Sequence, residues 1–163
     1  MRILSLFTQH RPTRNKQRGF YIAPALATVV IVGLISVAVY GIFRYINDSF
    51  TVTIENKNLM SIVSGARSLK QAGSYVNVDN PALQRIQAFG NMTGSATGGT
   101  VRNRWGGTVD VTGTASELQI QYNGVPANAC QRFLISAADS GEFATPLPTC
   151  NDTGTTDLTF VVY

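Results

Sequence analysis

Between Phe20 and Phe43 the chain runs for 24 residues, FYIAPALATVVIVGLISVAVYGIF, without one charged side chain. A helix of that length is about 36 Å long, enough to cross the hydrocarbon core of a bilayer. Arg18 precedes the run and Arg44 ends it. The flanks are unequal. Residues 1–19 carry Arg2, Arg11, Arg14, Lys16 and Arg18 and no acid, whereas the other 144 residues carry eight basic and nine acidic side chains. The net charge of +4 thus arises in the first nineteen residues. That bias places them on the cytoplasmic side and the body across the membrane. With 44% hydrophobic and 13% charged residues, the chain lies far from the composition of disorder. Fifteen glycines without a three-residue period exclude collagen. The length suits one domain.

Three readings compete for the apolar run. A removable secretory signal would be shorter and end in small residues, but this run ends Tyr40-Gly41-Ile42-Phe43-Arg44. A plain membrane anchor is the second. The third rests on the junction Lys16-Gln17-Arg18-Gly19-Phe20, where a basic leader closes on glycine and an aromatic residue opens the run. This junction resembles the class III signal of type IV prepilins, which is cut on the cytoplasmic side after that glycine. The resemblance implies cleavage between Gly19 and Phe20, retention of the apolar segment and N-methylation of Phe20. Glycine before the cut suits a scissile bond that must be reached in an unhindered, extended backbone.

Beyond the run the pattern stays helical. Leu59, Ile62, Val63, Ala66 and Leu69 form one apolar stripe, with Asn58, Ser61, Ser64, Arg67 and Lys70 on the other face. The spacing predicts one long helix over Tyr21–Ala72, stopped by Gly73, with the β-branched stretch Asp48–Ile54 loosening it. Asn80-Pro81 before Leu83 and Ile86, with Gly90 after them, predicts a short helix capped by Asn80. Residues 90–100 read as a Gly/Ser/Thr loop. Thr108–Thr112 and Glu117–Tyr122 alternate as strands joined through Gly113-Thr114-Ala115-Ser116. Pro126 opens a further helix with Cys130, Phe133, Leu134, Ala137 and Ala138 on one face. Leu158–Tyr163 forms a terminal strand, apolar on both faces and so expected to be buried on both sides.

Cys130 and Cys150 are the only cysteines. On the extracytoplasmic side a disulfide between them would persist and would tie the last helix to the segment before the terminal strand. Two free buried thiols are the alternative. A zinc site falls short of four ligands.

Asn103-Arg104-Trp105-Gly106-Gly107-Thr108-Val109-Asp110-Val111 resembles the turn-then-strand signature of type IVb pilins. The Ala129-Cys130 helix start and Thr149-Cys150-Asn151 before a terminal strand are similar to theirs, as is a nineteen-residue leader. Toxin-coregulated, bundle-forming and conjugative thin-pilus pilins share this order. The resemblance implies an α+β pilin fold: a long N-terminal helix, apolar then amphipathic, packed on an antiparallel sheet with a disulfide-bounded C-terminal region. It divides the chain into a removed leader (1–19), an apolar membrane and filament-core half (20–43), an amphipathic half (44–73) and a globular head (74–163). It implies a structural subunit that passes from the inner membrane into an extracellular filament for adhesion, conjugation or aggregation. Its partners would be prepilin peptidase, the pilus assembly machinery and other copies of itself. Buried between copies, each large apolar side chain of the run contributes about 1.5–3 kcal/mol.

One position departs from the family pattern. The fifth residue after Gly19 is Pro24 where major pilins carry the assembly glutamate, and no carboxylate occurs from Phe20 to Phe43. A buried amine without a partner is costly, so another acceptor serves or the subunit is a minor, initiating or tip pilin, or a secretion pseudopilin.

Nothing in the chain points to catalysis, a cofactor or a metal. The one histidine, His10, lies in the leader, so a mature chain would lack Ser/His or Cys/His machinery. Gly94–Gly99 lacks the Lys-Ser/Thr of a phosphate loop. Asp139, Glu142, Asp152 and Asp157 read as a solvated surface. Arg102 and Arg104 beside Trp105 are a thin footprint for nucleic acid, and a structural turn anchored by the Trp is the preferred reading.

Overall fold

The computed structural model describes residues 22–163. The leader, the Gly19–Phe20 junction and Tyr21 lie outside the described residues. The chain divides into two units with a boundary between Phe43 and Arg44.

The first helix, α1, is Ile22–Leu69. In the first unit, every residue from Leu26 to Phe43 is exposed. Leu26, Ile31, Leu34, Val37 and Phe43 each show more than half of their surface. In the second unit α1 turns amphipathic: Val52, Leu59, Ile62, Val63 and Ala66 are buried. The stretch Asp48–Ile54, expected to loosen the helix, is helical throughout. Val52 enters the core, so packing holds the β-branched run helical, while Thr53 Oγ1 satisfies itself by donating to the Ser49 carbonyl at 3.0 Å. The helix ends at Leu69 rather than Ala72. Ala72 and Gly73 both take positive φ and Gln71 bridges Ser74, a tight reversal that the glycine permits.

The short helix α2, Asn80–Arg85, is capped by Asp79, whose Oδ1 accepts from Ala82 N at 2.8 Å; Pro81 sits in its first turn. This moves the expected cap by one residue. Asn80 is used differently, its Nδ2 donating to the Val109 carbonyl and its Oδ1 accepting from Val111 N. It thus fills a backbone-like place beside the first strand.

Strands β1 (Val109–Gly113), β2 (Leu118–Pro126) and β3 (Thr155–Val162) form one antiparallel sheet in the order β1-β2-β3. Val109 pairs with Tyr122 and Ile120 with Phe160; the register shifts between Tyr122 and Val125. Helix α3, Ala127–Ser140, follows directly on Pro126 and ends on Gly141 in the left-handed region. Cys130, Phe133, Leu134 and Ala137 are buried, whereas Ala138 is exposed.

The terminal strand is not buried on both sides. Thr156, Leu158, Phe160 and Val162 are buried, while Asp157 and Thr159 are exposed and Val161 is intermediate. Among the described residues the helical cover lies on one face: Phe133 of α3 meets Tyr122 at 5.2 Å and Phe160 at 5.5 Å between ring centroids, and the α1 stripe joins the same core. The opposite face displays Asp110, Thr112, Gln119, Gln121 and Thr159.

Candidate functional site

The 103–107 turn is built from backbone groups around one side chain. Asn103 is 4% exposed. Its Oδ1 accepts from Trp105 N at 3.0 Å and Gly107 N at 3.1 Å, and its Nδ2 donates to the Asn123 carbonyl at 2.8 Å. The backbone closes the loop: Asn103 N donates to the Gly107 carbonyl and Gly106 N to the Asn103 carbonyl. Gly106 has φ +91°, a conformation that favours glycine. At Gly107 a Cβ would lie 1.7 Å from the Asn123 carbonyl oxygen, so the two glycines serve different ends. Trp105 is half-buried and meets Phe133 edge-on at 5.6 Å. The turn therefore grips β2 through Asn103 and α3 through Trp105.

It also grips α1, through a residue that the sequence reading passed over. Glu55 is fully buried and its Oε1 accepts from Arg104 N at 3.0 Å. Burial raises its pKa, against the pull of the Arg104 N–H, a bond to Asn58 and the charge of Arg104. Its Oε2 and the buried Tyr122 Oη make no hydrogen bond among the described residues. Burial and the nearby Glu55 charge push the Tyr122 phenol up. Asn58, expected on the polar face of α1, is 8% exposed and belongs to this cluster. The available signal was spacing: Val52, Glu55, Leu59 and Ile62 follow the apolar stripe, with an acid in an apolar place.

Gln84 was likewise missed. It is 4% exposed, and its Nε2 donates to the Gly94 and Gly99 carbonyls while its Oε1 accepts from Gly98 N. The glycine-rich loop is stapled to α2 through this side chain.

Cys130 and Cys150 are joined, with Cα atoms 5.9 Å apart. The bond ties α3 to the segment before β3, and closing a loop of this size contributes about 3 kcal/mol. Glu142 forms an ion pair with Arg67 of α1. Asp139, Asp152 and Asp157 are exposed. The turn, the buried acid and the disulfide hold elements together; the exposed apolar surface of α1 is the part that calls for another molecule. Gly19 and Phe20 lie outside the described residues.

The family model described as PilS N terminal matches residues 49–159. This chain belongs to the PilS family. The match starts within the docked half of α1, takes in the 103–107 turn and both cysteines, and reaches into β3. No curated protein and no solved structure matches the chain. PilS-family membership identifies a pilin-like structural protein, a pilus subunit rather than an enzyme. The apolar α1 segment together with that membership points to a membrane precursor and a surface pilus that self-assembles.

Proposed function

We propose that this PilS-family chain is the structural subunit of a type IVb pilus. It is synthesised with the leader 1–19, cut by prepilin peptidase between Gly19 and Phe20, N-methylated on Phe20 and polymerised through residues 20–43, with 44–73 and 74–163 as the docked helix and head. One observation carries this reading: α1 presents a fully exposed apolar surface from Leu26 to Phe43 while its later residues are buried in a disulfide-bonded head. The first part needs lipid before assembly and other copies of itself afterwards.

Pro24 at the fifth mature position favours a second reading, a minor or tip pilin or a secretion pseudopilin. Substituting Gly19→Trp tests the main one. The variant should remain an uncut 163-residue precursor in the inner membrane and abolish filaments. Normal pili from that variant would refute the proposed maturation. Abundance in sheared filaments then decides the rest: a dominant band makes it the repeating subunit, and a trace component makes it the minor one.

A further inference from the structure

Charge in the head is divided along the chain. Residues 44–104 carry seven basic and three acidic side chains, and residues 105–163 carry one basic, Arg132, and six acidic. Two acids of the first stretch are engaged internally, Glu55 by Arg104 N and Asp79 as the cap of α2.

The topology lays this division across the sheet. Its two edges are β1 and β3. Beyond β1, Arg102 forms an isolated bridge with Thr108. Arg102 and Arg104 are exposed and line a polar cleft of about 560 Å³ in which no carboxylate stands among the described residues; Arg102 Nη1 donates to the Gly106 carbonyl at 2.9 Å, which leaves its other donors facing outward. Next in the row comes Asn123, whose N donates to the Thr108 carbonyl. At the far edge Asp157 is exposed on β3, its Oδ1 accepting from Gly124 N at 2.8 Å. Asp152 is exposed in the loop that Asn151 fastens to the start of β3. The width of the sheet thus runs from Arg102 and Arg104 beyond β1 to Asp157 and Asp152 at β3, with the one carboxylate of β1, Asp110, taken up by Thr108 Oγ1 and Asn123 Nδ2.

We propose that the arginine edge of one copy docks on the aspartate edge of the next. The occupant is a second copy of this chain, because the complement to the arginine cleft is carried on the opposite edge of the same fold. A planar guanidinium matches a carboxylate by two parallel hydrogen bonds. A contact between two different patches is heterologous, and where its rotation does not close into a ring it propagates as an open helical filament. The contact rests on the pilus reading, and it sets the neighbour's register through charge rather than through the apolar helix.

The test uses the full chain in piliated cells. Arg104→Lys keeps the charge and supplies an amine, while Arg104 N still holds Glu55. A zero-length amine–carboxylate cross-linker should then join this position to Asp152 or Asp157 of another copy, giving a ladder whose linked peptides mass spectrometry identifies. Asp152→Asn with Asp157→Asn should remove the ladder, and added salt should weaken it. Reversal by Arg102→Asp with Arg104→Asp should lower filament yield about tenfold, and adding Asp152→Arg with Asp157→Arg should restore it. Filaments at wild-type yield without these cross-links would overturn the contact and leave the pilus reading standing. Cross-links in membranes that form no filament would keep the contact and refute the pilus reading. Absence of both would refute both.

Discussion

Residues 26–43 and residues 52–66 of α1 obey the same backbone rules and meet opposite fates. The first stretch is apolar on every side and exposed on every side. The second is apolar on one stripe, and that stripe is covered by the sheet, α2 and α3. The difference lies in who supplies the partner. The chain brings its own cover for the second stretch, and for the first it relies on lipid or on other copies. Helical propensity is common to both; the pattern of polar residues alone separates a helix that completes a fold from one that completes an assembly.

Substitutions that act on one stretch and spare the other sharpen this contrast. The largest effect is expected from Ile62→Asp, which places an unpaired charge at a position with no exposure. It should cost about 4 kcal/mol or more of head stability, read by thermal unfolding of the detergent-solubilised chain. A head that kept its melting point would break the comparison. Gly65→Ala is next. A Cβ there would stand 2.4 Å from Ala88 Cβ, so forcing α1 away from the segment after α2 should cost about 2 kcal/mol.

Glu55→Gln should act through pH. The folded pKa of Glu55 lies above its ordinary value of 4.5 because burial disfavours the carboxylate. The protonated form is therefore the one the fold prefers. Its stabilising contribution is complete below the ordinary value and is lost as pH rises through the raised folded value. Gln keeps an acceptor for Arg104 N and removes that loss, so denaturant midpoints measured across this range should fall with pH in the wild type and stay flatter in the variant. The smallest effect on the head is expected from Val37→Ala. Val37 is 73% exposed, and head stability should move by less than about 0.5 kcal/mol while filament yield drops. Equal losses in the head and the filament would show that the two stretches are not independent.

The sequence made some parts of this molecule easy to read and hid others for identifiable reasons. Period and punctuation were enough for the apolar run, the 59–69 stripe, the hairpin at Gly113–Ser116 and the helix after Pro126. The Asn103-x-Trp-Gly-Gly turn was legible through its resemblance to a pilin signature and its single Trp, and the structure shows why both glycines are needed there. What the turn holds was not legible. The bonds from Asn103 to Asn123 and from Arg104 to Glu55 cross 20 and 49 residues, and no local pattern reports such a distance. Glu55 was hidden because an acid in a helix is read by default as solvated. The terminal strand misled for the opposite reason: Val161 and Tyr163 are apolar but only partly covered or exposed, and hydropathy does not record which face the helices occupy.

The bond from Arg104 N to Glu55 has a consequence for how the surface of this protein can change. The turn is fastened to α1 by a main-chain donor, which every amino acid except proline supplies. The side chain at position 104 takes no part in that bond and is exposed. Sequence drift or deliberate engineering can therefore change the size and shape of that exposed residue while the main-chain bond beneath it stays in place; a change of sign would still be felt by Glu55, whose pKa the Arg104 charge pulls down. The fold keeps a fixed mount with an interchangeable face.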